Sequence, residues 1–202
     1  MKNVWYIAVM AVLLLAGCQQ KEDLMTKQQT SIVRYLESGH IPRLISEDAA
    51  NDSLDENPPY YTVLGRKAYR YIATQYDEGR DELIPIEPGD MVDIRFDAYV
   101  FNYTSLTNVA PYWSNRDETI ARLIATGGHL DPEYWSMEPL RLKAGSNDTL
   151  YGVSQSLVGC CEGDEVEVYM TYDAAYGSAI VGMVPKESPV AWLFTIEKVT
   201  RK

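Results

Sequence analysis

Val92, Ile94, Phe96, Ala98 and Val100 alternate with Asp93, Arg95 and Asp97, the period-two spacing of a strand with one buried face. The stretch Glu87-Pro88-Gly89-Asp90 launches it as a turn. The alternation returns at Leu140 and Leu142 before Gly145, and again after Gly163-Asp164, where Val166, Val168 and Met170 oppose Glu165, Glu167 and Tyr169. In a last strand Ala191, Leu193, Thr195 and Glu197 alternate with Trp192, Phe194, Ile196 and Lys198. Residues 150–160, with Ser154, Leu157 and Val158, suit a short helix. Upstream, Ile32, Val33 and Leu36 sit at helical spacing within 25–39, and Gly39 supplies a stop. The acidic stretch 41–59, with Asn51, Asp52, Pro58 and Pro59, reads as loop or short turns. Residues 60–76 suit a strand, since Tyr69, Tyr71 and Ala73 alternate, although Tyr69, Ile72, Ala73 and Tyr76 also share a helical face. Within 101–138, Ile120, Leu123 and Ile124 predict an amphipathic helix over 117–126, closed by Gly127-Gly128. Several strands with one helix crossing between them give an α+β layout: an antiparallel sheet wrapped on a short helix. The organisation changes near residue 85, which separates a helical extension and leading strand over 27–84 from the main domain over 85–202.

The first twenty residues follow another logic. Lys2 precedes an almost wholly apolar stretch, 4–15, and Leu15-Ala16-Gly17-Cys18 follows at once, the order of an export signal. Small residues before a cleavage point fit a peptidase, and a thiolate can be alkylated by a lipid donor. The stretch resembles the bacterial lipoprotein signal, which implies a signal peptide over 1–17 and lipidation of Cys18. A membrane-spanning helix is the competing reading, but the apolar run is shorter than the about 20 residues a span needs. A polar tether is expected over 18–26, beginning Gln19-Gln20-Lys21-Glu22-Asp23. Gln19 after the cysteine resembles the pattern sent to an outer membrane, so the expected location is the cell envelope, facing the periplasm or the cell surface.

Removing the signal leaves 185 residues, enough for one core plus an extra element. The formal charge of -11 argues against a nucleic-acid partner, because phosphate binding wants clustered Lys and Arg. Fifteen tyrosines and four tryptophans suit a core, a peptide groove or a crowded surface equally well. Cys160 and Cys161, being adjacent, are poorly placed to bridge each other. His40 and His129 are too far apart for a metal-ligand spacing, and no metal or cofactor is expected.

A family resemblance rests on the second half. Pro139-Leu140-Arg141-Leu142-Lys143-Ala144-Gly145, then Thr149-Leu150-Tyr151-Gly152-Val153, Leu157-Val158-Gly159-Cys160-Cys161-Glu162-Gly163-Asp164 and Asp173-Ala174-Ala175-Tyr176-Gly177 follow one another. Val184-Pro185 and Val190 to Val199 come after, and Gly89 to Ala98 before. This order and spacing resemble the core of FK506-binding-protein-type (FKBP-type) peptidyl-prolyl isomerases, interrupted by an insertion at about 101–138. The resemblance implies an FKBP-like fold, a proline-containing polypeptide as partner, and an isomerase or chaperone acting on exported chains without a cofactor.

It also implies a pocket made of Phe96, Leu140, Leu150, Val153, Tyr176, Val184 and Trp192. In it Tyr176 offers its hydroxyl to the substrate carbonyl, and the Leu150 N–H meets a bound carbonyl. Val184 packs beside the proline ring, and Trp192 takes the place of a phenylalanine. As residue types, Phe96, Leu150, Val153 and Trp192 serve equally as core in almost any fold. The chain departs from the family where Val153 replaces the tryptophan at the pocket floor and Phe96 replaces a tyrosine. The family's aspartate near the insertion has no counterpart: Phe101-Asn102-Tyr103 and Tyr112-Trp113-Ser114-Asn115 resemble that stretch and lack the acid. A catalytically silent relative that binds polypeptide or assists envelope assembly is therefore the alternative. Tyr112, Trp113, Tyr134 and Trp135, flanking the inserted helix, suit a flap, a peptide contact or packing on the sheet.

Overall fold

The computed structural model describes residues 22–128, 130, 135–147 and 150–202. The signal stretch, Cys18, His129, Tyr134 and Thr149 lie outside the described residues. The chain opens with helix α1 at 22–38. It continues through β1 (Ile45–Ser46), α2 (Glu47–Asn51), β2 (Tyr60–Leu64) and β3 (Ala68–Ile72). After β4 (Met91–Val100) come β5 (Trp113–Ser114), α3 (Asp117–Ala125), β6 (Leu140–Lys143), α4 (Tyr151–Leu157), β7 (Glu165–Met170) and β8 (Val190–Thr200).

The strands form one sheet in the order β1-β2-β3-β7-β8-β4, with β6 and β5 sharing the far edge of β4. The β1–β2 pairing is parallel and the rest antiparallel, so the sheet is mixed rather than purely antiparallel. Its middle is the pairing of β4 with β8, in register from Val100↔Val190 to Met91↔Thr200 with a bulge at Asp93/Ile94. The expected alternation places Val92, Ile94, Phe96 and Ala98 of β4, Val166, Val168 and Met170 of β7, and Trp192, Phe194 and Ile196 of β8 on one face, under α4. This arrangement is an α+β fold, a sheet wrapped on a short helix. The charged positions of β4 lie on the other face, where Asp93 pairs with Arg141 at 2.7 Å and Arg95 with Glu197 at 2.7 Å.

The outer face is not wholly solvated, and here the structure adds to the sequence reading. Helix α1 lays Ile32, Tyr35 and Leu36 over Tyr69, Tyr71, Tyr169 and Ala191, making a second core with Leu44, Tyr61 and Phe101. Its polar centre is His40. One imidazole nitrogen contacts the Pro42 carbonyl, and Nε2 meets the Glu167 carboxylate at 2.9 Å. Burial pulls the imidazole pKa down, but the Glu167 hydrogen bond and charge, with the Pro42 carbonyl, outweigh it and raise the value.

Four expectations change. Residues 22–26, expected in the tether, already belong to α1, where Leu24 and Met25 are half-buried. The 27–84 segment carries a hairpin, β2 and β3, in place of one leading strand. The division at 84/85 does not divide the sheet, because β3 pairs with β7 across five residues. In α3 the buried positions are Thr119 and Ile120, while Ile124 is 56 % exposed, so the apolar face extends beyond what the helix packs. Among the described residues no helix is long and apolar enough to cross a membrane.

Candidate functional site

Four of the seven expected pocket residues, Phe96, Val153, Val184 and Trp192, are buried in one contiguous core cluster, and Leu140, Leu150 and Tyr176 pack against it. Each comes from a different place. Phe96 is on β4, Leu140 on β6, Val153 inside α4, and Trp192 on β8; Leu150 immediately precedes α4. Tyr176 stands in the turn after β7, closed by the Gly177 N–H donating to the Tyr172 carbonyl at 2.8 Å. Val184 is on a small hairpin, exchanging both main-chain hydrogen bonds with Val181. Gly152 lets α4 lie close to β7, since a Cβ there would come within 2.5 Å of Met170 Sδ.

The geometry adds partners to the seven expected residues. Phe96 and Trp192 stack with centroids 4.3 Å apart, 14° from parallel. Trp113 stands edge-on to both, at 4.8 Å and 5.5 Å. Tyr112 faces Tyr176 with ring centroids 6.3 Å apart. Tyr112 and Trp113 are partly buried and pack against the cluster, the packing role among those expected of them. Asn115 holds this stretch on the strand: its Oδ1 accepts from the Phe96 N–H at 2.7 Å, and its Nδ2 donates to the carbonyls of Ile94 and Glu138. The signal for these residues was present as Tyr112-Trp113-Ser114-Asn115, a stretch set aside because it lacks the family's acid. Two residues after Trp113, the Asn115 amide provides a polar support.

The polar feature of the site is a short chain of hydrogen bonds. Trp192 Nε1–H donates to the Tyr112 hydroxyl at 2.9 Å, and the Tyr112 and Tyr176 hydroxyls lie 3.1 Å apart. An indole N–H can only donate. The arrangement in which each hydroxyl accepts once and donates once therefore runs from Trp192 to Tyr112 to Tyr176. It leaves the Tyr176 proton for an acceptor outside the chain. Burial, reinforced by the nearby Tyr176, pushes the Tyr112 hydroxyl pKa far up. Burial also raises that of Tyr176, less so because Tyr112 donates to it. Both remain neutral hydroxyls across the physiological range, and hydrogen bonds in series polarise one another.

The site is thus an aromatic cluster between a sheet and one short helix, with the Tyr112 and Tyr176 hydroxyls beside it. The chain matches the model of the FKBP-type peptidyl-prolyl cis-trans isomerase family over residues 119–197. The match takes in β6, α4, β7 and most of β8; it leaves out β4, β5 and everything before them. No curated protein matches the chain.

Proposed function

We propose that this chain is an envelope protein, held at a membrane by a lipid on Cys18. It binds proline-containing segments of exported polypeptides at the aromatic cluster and speeds rotation about their X-Pro bonds. The observation that carries this reading is the ordered hydroxyl chain ending at Tyr176. Rotation about an X-Pro bond is slow because the C–N bond has partial double-bond character, while the cis form is low enough in energy to be populated. A pocket accelerates it by surrounding the proline with apolar walls and by donating a hydrogen bond to a carbonyl in the rotated geometry. Phe96, Val184 and Trp192 supply walls, Leu140 and Val153 the surroundings, and Tyr176 the donor; by the family resemblance the Leu150 N–H holds a second carbonyl. Neither nucleophile nor cofactor is needed.

The close packing of Phe96, Trp113 and Trp192 favours a second reading, a binding module for polypeptides that performs no catalysis. The two separate in one assay: isomerisation of a short X-Pro peptide by the full chain in detergent, compared with Tyr176→Phe. A rate that falls in the variant supports the enzyme and its site together. A rate unchanged in the variant keeps the enzyme and moves the site. No rate above background from folded protein leaves the binding module. The anchor is tested separately by Cys18→Ala, which should release the chain from membranes.

A further inference from the structure

Gln28, on α1, is 3 % exposed. Its Nε2 donates to the Glu187 carbonyl at 2.8 Å, and its Oε1 accepts from the Tyr172 N–H at 2.9 Å. These two main-chain groups belong to the neck of a single loop. Between them the chain carries Tyr176 and Val184, and the Glu187 N–H donates to the Gly177 carbonyl at 3.0 Å while the Gly177 N–H donates to Tyr172. The Gln28 amide adds one donor and one acceptor to that neck. Glu187 has a φ of 57°, a left-handed conformation that a non-glycine residue keeps only where its surroundings hold it. Its N–H is held by Gly177 and its carbonyl by Gln28. Ser178, in the same loop, adds only an exposed contact to the Glu187 carboxylate.

We propose that Gln28 is a positioning residue for the site: its amide latches the 172–187 loop to α1 and so fixes where Tyr176 and Val184 stand. The idea rests on the proposed isomerase reading for its functional half and on geometry alone for its structural half. It makes α1, which lies outside the family match, part of the working domain. Tyr176 reaches Tyr112 only from a loop whose neck is closed. A loop freed on the α1 side samples positions in which its hydroxyl no longer completes the chain from Trp192.

The test uses the full chain with Gln28→Met, similar in length and without hydrogen-bonding capacity, and Gln28→Glu, which keeps the acceptor for Tyr172 and loses the donor to Glu187. Amide hydrogen exchange is read residue by residue. In the Met variant, amides of 172–187 should exchange roughly tenfold faster, the effect of about one lost hydrogen bond, while β7 and β8 amides keep their rates. The Glu variant keeps the acceptor for the Tyr172 N–H and loses only the donor to the Glu187 carbonyl, so it should retain protection at the Tyr172 amide. Peptide isomerisation by the Met variant should fall roughly threefold to tenfold in kcat/KM, mainly through kcat, because a displaced Tyr176 donor is missing from the rotated geometry. Unchanged loop exchange, or exchange accelerated equally throughout the sheet, would overturn the latch. An inactive wild type would overturn the isomerase reading and leave the exchange result to decide on the latch.

Discussion

Tyr112→Phe removes one oxygen from the centre of the Trp192–Tyr112–Tyr176 chain and leaves the ring in place. Trp192 is 2 % exposed, so its Nε1–H would find no water in place of the lost hydroxyl. An unsatisfied buried donor costs about 1–3 kcal/mol, and for a chain of this size each kcal/mol lowers Tm by about 2–4 °C. Trp192→Phe removes the donor as well and adds a packing loss. The double variant therefore distinguishes a hydrogen bond from bulk packing: with both partners gone, no orphaned donor remains. Denaturant unfolding of wild type, the two single variants and the double variant should give a coupling of about 1 kcal/mol or more, the double variant being less destabilised than the sum. A second readout follows from electrostatics. Tyr112 donates to Tyr176 and partly offsets the upward push of burial on its hydroxyl. Losing that bond should move one tyrosine titration to higher pH in ultraviolet absorbance. Single-variant costs that add within about 0.3–0.5 kcal/mol, together with an unmoved titration, would refute the ordered chain.

His40 acts in the opposite sense to an acid. Its folded-state pKa is raised, so the stability it adds is complete below the ordinary histidine value of about 6.5 and is lost as pH rises through the folded value. The stability gap between wild type and His40→Gln should be largest near pH 6 and close towards about pH 9; a gap that widens with pH would contradict the pairing with Glu167. Asp164, 2 % exposed, takes Arg80 in two hydrogen bonds at 2.8 and 2.7 Å and also accepts from Thr74 Oγ1 and the Cys161 N–H. Asp164→Ala should cost about 3–5 kcal/mol in chemical denaturation because it strands a largely buried guanidinium, and a loss below about 1 kcal/mol would show the pair to be dispensable. Gly152→Ala puts a methyl against Met170, which is fully buried and has little room to yield. It should cost about 1–3 kcal/mol by overpacking, measurable as a lower Tm, and no change would mean that α4 stands further from β7 than described.

The strands of the family segment were legible because their buried face alternates cleanly and glycine turns punctuate them; β4, β6, β7 and β8 all fall where the alternation places them. The hairpin of β2 and β3 was not, and the reason is local. Its turn is Gly65-Arg66-Lys67, in which Arg66 and Lys67 themselves adopt positive φ of 51° and 60°, so the usual Asn-Gly or Asp-Gly punctuation is missing. Tyr169 shows a second limit. It alternates with Val168 as an outward residue should, yet it is 1 % exposed because α1 covers that face. Period-two spacing tells which side a residue takes and is silent on whether that side is covered. At the site, the family pattern singled out Tyr176, Val184 and Trp192, and the structure brings these three together in or against one cluster. Tyr112 and Gln28 were less legible, since a hydroxyl or an amide acquires its role only from partners 64 to 159 residues away.

The place of β8 in the sheet bears on when this molecule can exist at all. It lies between β7 and β4, and it comes last in chain order among the described strands. Its partners on β4 are roughly a hundred residues earlier, so the pairing that joins the two halves of the sheet is among the slowest kinds to form. During synthesis β4 and β7 each wait with one edge unmatched until β8 has emerged. Such a chain stays open along its length and then closes in one event, and a stop codon before Val190 would remove the strand on which that closure depends.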